Sequence, residues 1–464
     1  MRKLTVSIAL AGLLAMGGVA VAEICTIDDV PAATLLLPYF EVNLDDTAGV
    51  TTLFSINNAS AIAHLAHVTL WTDESVPTLD FDVYLTGYDV QTINMRDIFN
   101  GILPRTADDG IDPDTPGPTA AAISNQGALS LPDLPSTPFL SGDANFPGST
   151  GPCGAISTVY DAAPTPELSA SVIAHIRAAH TGNSSPVYGA CSGLNYGDNI
   201  ARGYVTVDSV NQCNLEFPSS AGYFGPAGLA NNRNVLWGDY FYVDNANNFA
   251  QGETLVHVEA CPTPSVGQGA DDCDFVAGDY TFYGRYVAGT AIDQREPLAS
   301  NFATRFLNGG GFDGGTDLVV WRDNTLPLGA LTHSCAVGRF SWVPLNQADV
   351  VAFDEVENPQ DLCFQGDNVS PPTGGAETCF PVEAQRVNLI LSNVPFGATP
   401  APSATFGWMF LNLNTTVAGS VFPGRAQAWV TTVMSAEGRY SVGYDAIKLD
   451  TMCDNLLGGV LLLP

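Results

Sequence analysis

The sequence predicts a mainly β chain: an antiparallel β-sandwich-type architecture with long Pro/Gly/Asp-rich loops, one or two short helices, and disulfide stabilisation. Three observations lead there. Apolar residues alternate with period two in many short runs, as in strands with one face buried. The 464 residues include 46 Gly and 31 Pro, which break those runs into turns. Ten Cys, an even number, lie at wide spacings without a C-x-x-C. That is the usage of an exported, disulfide-forming chain rather than of a zinc or redox motif.

The elements follow in order. Residues 1–22 have the form of a bacterial signal peptide: Arg2 and Lys3, an apolar core from Leu4 to Met16, and Ala20-Val21-Ala22 before the cut. The expected location is therefore periplasmic or extracellular. Residues 23–105 form an N-terminal β region. Leu79, Phe81, Val83 and Leu85 alternate in one strand, His67–Trp71 is its expected partner, and Thr51–Asn57 and Val90–Met95 continue the meander. Residues 106–152 contain eight Pro, six Gly and six Asp without Lys or Arg, the composition of a loop or linker.

A central β-rich region spans 153–354. It carries a helix near 166–180, with Thr165 as cap, Pro166 in the first turn, and Leu168, Val172, His175, Ile176 and Ala179 on one stripe. A second helix is expected at Pro297–Leu307. Strands are expected at Gly203–Val207, Tyr240–Val243, Thr254–Glu259, Tyr280–Val287 and Leu318–Trp321. Residues 355–385 are a Cys-containing loop. The C-terminal β region, 386–464, holds strands at Val387–Leu391 and Thr405–Leu411 and a hairpin pairing 426–433 with 440–449. It is expected to pack back on the N-terminal region. Short loops favour Cys261–Cys273 and Cys363–Cys379 as disulfides, and Cys25–Cys453 would join the chain ends.

Sixteen Lys+Arg stand against 48 Asp+Glu, a net charge of −32. Nucleic acid and anionic membrane surfaces are excluded as partners by this balance. After the signal, no apolar run is long enough for a transmembrane helix.

The strongest ligand motif is Asp108-Asp109-Gly110-Ile111-Asp112-Pro113-Asp114. Its four carboxylates in a Gly/Pro loop make Ca2+ the candidate cofactor, although the loop lacks the EF-hand pattern. Asp271/Asp272/Asp274 and Asp313/Asp317 are weaker clusters. Asp80 and Asp82 resemble a catalytic pair, but alternation places both on the solvent side of their strand. His180 is expected to favour the negative end of its helix. Trp71, Trp321 and Trp429 sit in apolar contexts and are assigned to the core. Trp237 and Trp342 lie nearer loops and are the candidate ligand-binding aromatics, suited to stacking on sugars. No catalytic residue is assigned: there is no G-x-S-x-G, H-E-x-x-H or phosphate loop.

These features point first to a secreted, non-catalytic structural or interaction protein of the cell envelope or extracellular space. Its partners would be a second copy or other envelope proteins, met through sheet edges such as Leu35–Leu37. A calcium-assisted carbohydrate-binding protein, with glycans as partners, is the second reading. A secreted polysaccharide or ester hydrolase is the third.

Overall fold

The computed structural model describes residues 30–104, 168, 170–185, 189, 192–211, 216–220, 222–224, 228–261, 281–284, 286, 293–324, 345, 347, 349–362, 379–390, 401–414 and 426–450. These residues are mainly β, in four antiparallel sheets with two helices.

The first sheet runs β10 (Val256–Val258), β1 (Thr34–Asn43), β6 (Ile200–Val210), β3 (His64–Thr72), β4 (Pro77–Leu85). The second runs β5 (Val90–Asn94), β2 (Thr51–Asn58), β8 (Asp239–Asp244), β9 (Phe249–Thr254), with β7 (Leu236–Trp237) also on β2. The expected N-terminal strands are therefore all present, but they do not form one meander. β3 and β4 pair with each other, whereas β2 and β5 pair in the second sheet. Leu35–Leu37 is no edge either: β1 is hydrogen-bonded to β10 on one side and to β6 on the other. Its burial is nearly continuous, as expected of a central strand covered on both faces.

The third sheet runs β15 (Ala384–Asn388), β12 (Gly315–Asn324), β17 (Ala426–Ala436), β18 (Tyr440–Asp445). The fourth runs β14 (Pro359–Asp361), β13 (Asp349–Asp354), β16 (Phe406–Asn412), β11 (Asn301–Leu307), β19 (Ile447–Lys448). The expected hairpin is β17–β18, closed by Glu437-Gly438-Arg439 with Gly438 at φ +67. That left-handed position is where a short hairpin loop favours glycine.

Two expectations fail here. Pro297–Leu307 is not a helix; its second half is β11. Phe302, Thr304 and Phe306 alternate inward, and period two prevails over helical spacing once β16 and β19 supply ladder partners. Tyr280–Val287 is no strand among its described residues, which form turns. Phe282 and Tyr283 are instead buried as a cover over the first sheet. Part of the 355–385 loop is regular, as β14 and the start of β15.

The third sheet is a shared wall. Val319, Trp321, Trp429 and Val433 enter the core of the first two sheets, while Leu318, Val320, Ala428 and Val430 enter the core shared with the fourth. Burial on both faces explains why Leu318–Trp321 and Trp429–Val433 depart from simple alternation. Trp71 is stacked at 5.8 Å on Tyr204 and at 5.5 Å on Tyr286, and Trp321 meets Tyr204 edge-on at 6.0 Å. All three Trp assigned to the core are there.

Helix α1 (Met95–Phe99) is capped by the Asn94 side chain. It positions Arg96, whose guanidinium donates to the carbonyls of Asn43, Asp46, Gly49 and Val50 at 2.5–3.0 Å. One side chain thus fixes the β1–β2 connection. Helix α2 (Ala170–His180) buries His175, Ile176 and Ala179 as the stripe required; Thr165 and Pro166 lie outside the described residues. His180 is not an exposed dipole partner. Its Nδ1–H donates to the Arg202 carbonyl and its Nε2 meets the Thr78 hydroxyl, each at 2.7 Å. Burial lowers its pKa to about 4, so a neutral ring docks the helix.

Candidate functional site

Three features of the described residues go beyond packing. The first is a buried polar row in the first sheet. Strand register places Thr34 opposite Asp208, Asp208 opposite His67, and His67 opposite Asp82. His67 Nδ1 lies 2.9 Å from Asp82 Oδ1, and Nε2 lies 3.7 Å from Asp80 Oδ2. Asp208 accepts from the hydroxyls of Thr34, Tyr223 and Tyr283. Arg295 closes the row. It donates to the Thr34 hydroxyl and lies 3.4 Å from Asp208 and 3.3 Å from Asp293.

Asp80 and Asp82 are thus not on a solvated face. Asp82 is buried and Asp80 largely so, because Tyr223, Phe224 and Tyr283 cover that side of the sheet. Burial pushes the Asp80 carboxyl up to about 6, against the pull of His67. For His67, burial favours the neutral ring, but Asp82, Asp80 and Asp208 outweigh it and raise the pKa. The row resembles an acid–base apparatus in composition. It is sealed among aromatic rings, and its members hold one another.

The second feature is a cleft of about 460 Å³ between the N-terminal and C-terminal sheets. Two hairpin turns line it. The β8–β9 turn is held by Asp244, whose carboxylate accepts from the backbone N–H groups of Ala246 and Asn247 and from the Asn247 side chain. The β17–β18 turn contributes Glu437 and Tyr440. Arg386 belongs to the same lining. It donates to Glu41 Oε1 at 2.7 Å and to Asp317 Oδ2 at 2.5 and 2.9 Å, with Phe249 under its guanidinium at 5.1 Å.

The third feature is the outer face of the fourth sheet. Alternation sends Val351 and Phe353 of β13, Phe406, Trp408 and Phe410 of β16, and Leu307 of β11 away from the core. Register aligns Phe353, Trp408 and Arg305 across three strands. Phe353 and Trp408 stack at 4.2 Å with planes 10° apart. Trp408 is 37% exposed, Phe406 46% and Ile447 67%. A Cβ at Gly407 would lie 1.9 Å from the Phe353 carbonyl oxygen, so glycine is needed where β13 and β16 approach. An exposed aromatic surface of this kind is uncommon on a solvated sheet face.

Of the residues singled out in the sequence, Trp237 is 41% exposed, as a ligand-stacking aromatic requires. Trp342 and the calcium candidates Asp108, Asp109, Asp112 and Asp114 lie outside the described residues, as do Asp271, Asp272 and Asp274. Asp313 and Asp317 do not act together: Arg439 takes the first and Arg386 the second. No group of three or more His, Cys, Asp or Glu suited to a metal occurs among the described residues. Cys261 and Cys379 are fully buried, and no free cysteine occurs among the described residues. Their proposed partners Cys273 and Cys363, and the pair Cys25 and Cys453, lie outside that range. No described helix is long and apolar enough to cross a membrane.

Sequence reasoning missed Trp408, although Phe406-Gly407-Trp408-Met409-Phe410 shows aromatics at every second position. It also missed the Arg386 cleft, whose residues come from five distant segments. No protein-family model, curated protein or solved structure matches this chain, so the chemistry of these surfaces carries the functional reading.

Proposed function

We propose that this chain is an exported, non-catalytic interaction protein of the cell envelope or extracellular space, and that its outer aromatic face contacts a neutral polysaccharide. The exposed Phe406 and Trp408, flanked by the half-buried Phe353 and Phe410, carry the reading. Aromatic rings on a flat sheet offer apolar area with little side-chain entropy to lose, which suits the C–H faces of pyranose rings. The net charge of −32 opposes docking of a second copy or of an anionic polymer. The groups that resemble catalytic equipment, His67 and Asp82, are sunk beneath tyrosines, which favours binding over hydrolysis.

The proposed architecture is a pair of β-sandwiches sharing the third sheet, with Cys261–Cys273 and Cys363–Cys379 as staples. Calcium at Asp108, Asp109, Asp112 and Asp114 is a separate proposal. A rise in Tm with millimolar Ca2+ that is lost in the fourfold Asp→Asn variant would support it.

The reading is tested by depletion of the folded protein on insoluble neutral polysaccharides such as cellulose and chitin. At least one should retain the wild type. Trp408→Ala with Phe406→Ala should weaken retention at least tenfold while leaving Tm nearly unchanged. Retention on none, or equal retention of the double variant, overturns it. Trp408-dependent dimerisation in sedimentation would assign the face to a second copy instead.

A further inference from the structure

We propose that the Arg386 cleft is a second, separate binding site, and that it takes a small neutral polyhydroxylated molecule of mono- or disaccharide class. The inference shares its ligand class with the preceding proposal but stands on different residues.

The volume of about 460 Å³ lies within the range of about 300–1,000 Å³ usual for small-molecule sites. The lining decides the ligand. It contains the carboxylates of Glu41, Asp244 and Glu437 against the single guanidinium of Arg386. That cation is already held by Glu41 and Asp317. Phosphates, sulfates and carboxylates would meet net negative charge and are disfavoured.

A cationic ligand is disfavoured for a different reason. Asp244 is occupied by the N–H groups of its own turn, and Glu41 by Arg386. Neither is arranged as a cage for an incoming ammonium, and Glu437, the third carboxylate, is exposed at its turn and offers a single solvent-screened charge.

An apolar ligand does not fit either. Asn247, Asn248 and Ser435 share the lining with Phe249 and Tyr440. Amide and hydroxyl groups beside ring faces match a ligand that presents hydroxyls at its edge and C–H groups on its faces. The turns are also pre-positioned. Asp244 ties one, Gly438 and the Arg439–Asp313 pair shape the other, and Arg96 holds the β1–β2 connection that brings Val50 to the rim. Little ordering remains for a ligand to impose.

The test is calorimetric titration of the full mature protein with glucose, N-acetylglucosamine, maltose and cellobiose. Glucuronate, glucose 6-phosphate and glucosamine serve as charged counterparts. At least one neutral sugar should bind saturably, and the anionic analogues at least tenfold more weakly. Tyr440→Ala, at an exposed position, should weaken binding at least tenfold with Tm retained. Trp408→Ala should bind as wild type, which separates this site from the outer sheet. The proposal is overturned if no neutral sugar binds, if an anionic analogue binds as well as its parent, if glucosamine binds more tightly than glucose, or if Tyr440→Ala binds unchanged.

Discussion

The first sheet buries a polar row, whereas the fourth exposes an aromatic face. In the first sheet, His67, Asp82, Asp208 and Thr34 occupy the face that alternation assigns to solvent, and they are covered. In the fourth sheet, Phe353, Trp408 and Phe406 occupy the corresponding face, and it is open. Period two tells which residues share a face. It does not tell whether a further layer lies over that face. Over the first sheet such a layer exists, built from residues 222–224, 281–284, 286 and 293–295; over the aromatic face none occurs among the described residues.

The contrast can be broken most severely at Arg295. Arg295→Met leaves Asp208 and Asp293 buried without their cation, and should cost on the order of 3–5 kcal/mol in urea denaturation. Adding Asp208→Asn should recover part of that loss, because one stranded charge is removed. In the C-terminal core the comparable change is Phe306→Ala. This apolar deletion should cost about 3–4 kcal/mol, and a second polar substitution should rescue nothing. If Arg295→Met proves milder than about 1 kcal/mol, the row is not the electrostatic unit described.

Acidity provides a smaller effect confined to the N-terminal side. Asp80 has its pKa raised from 3.8 to about 6 by burial. Its stabilising contribution is therefore fully present below pH 3.8 and lost as pH rises through 6. The raised pKa of His67 acts in the same sense. His64 and His180, lowered to about 4 by burial, act in the opposite sense: their contribution is present above pH 6.5 and lost toward pH 4. Subtracting Asp80→Asn from wild type isolates the first term. The difference in unfolding free energy should move in favour of wild type between pH 7 and pH 4, by about 2 kcal/mol. A pH-independent difference would place Asp80 in solvent. The smallest stability change belongs to Trp408→Ala, below about 1 kcal/mol, with its effect appearing in polysaccharide retention.

Much of the secondary structure was legible because local pattern determines it. β2 to β6, β8, β16 and the β17–β18 hairpin follow from alternation and turn residues, and α2 from a single apolar stripe. β11 was misread because Pro297 and the glycines after it imitate helix boundaries, although Phe302, Thr304 and Phe306 already alternate. The pairing of strands was not legible. Nothing local to Thr51–Asn57 sends it away from His67–Trp71 and toward β8, nearly two hundred residues on. The same distance hid the candidate sites. Residues 34, 67, 82 and 208 become neighbours only through the register of four strands, and Arg386 reaches Glu41 across most of the chain.

The shared third sheet bears on how the chain is made. Synthesis delivers β1 to β6 first, but Tyr286 and Trp321, which close the aromatic cluster around Trp71, arrive later. Trp429 and Val433 arrive later still. A nascent chain stopped near residue 260 would carry a wet sheet studded with Trp71 and Tyr204, the surface a holding chaperone grips. Completion of the N-terminal core thus waits on strands that are synthesised last.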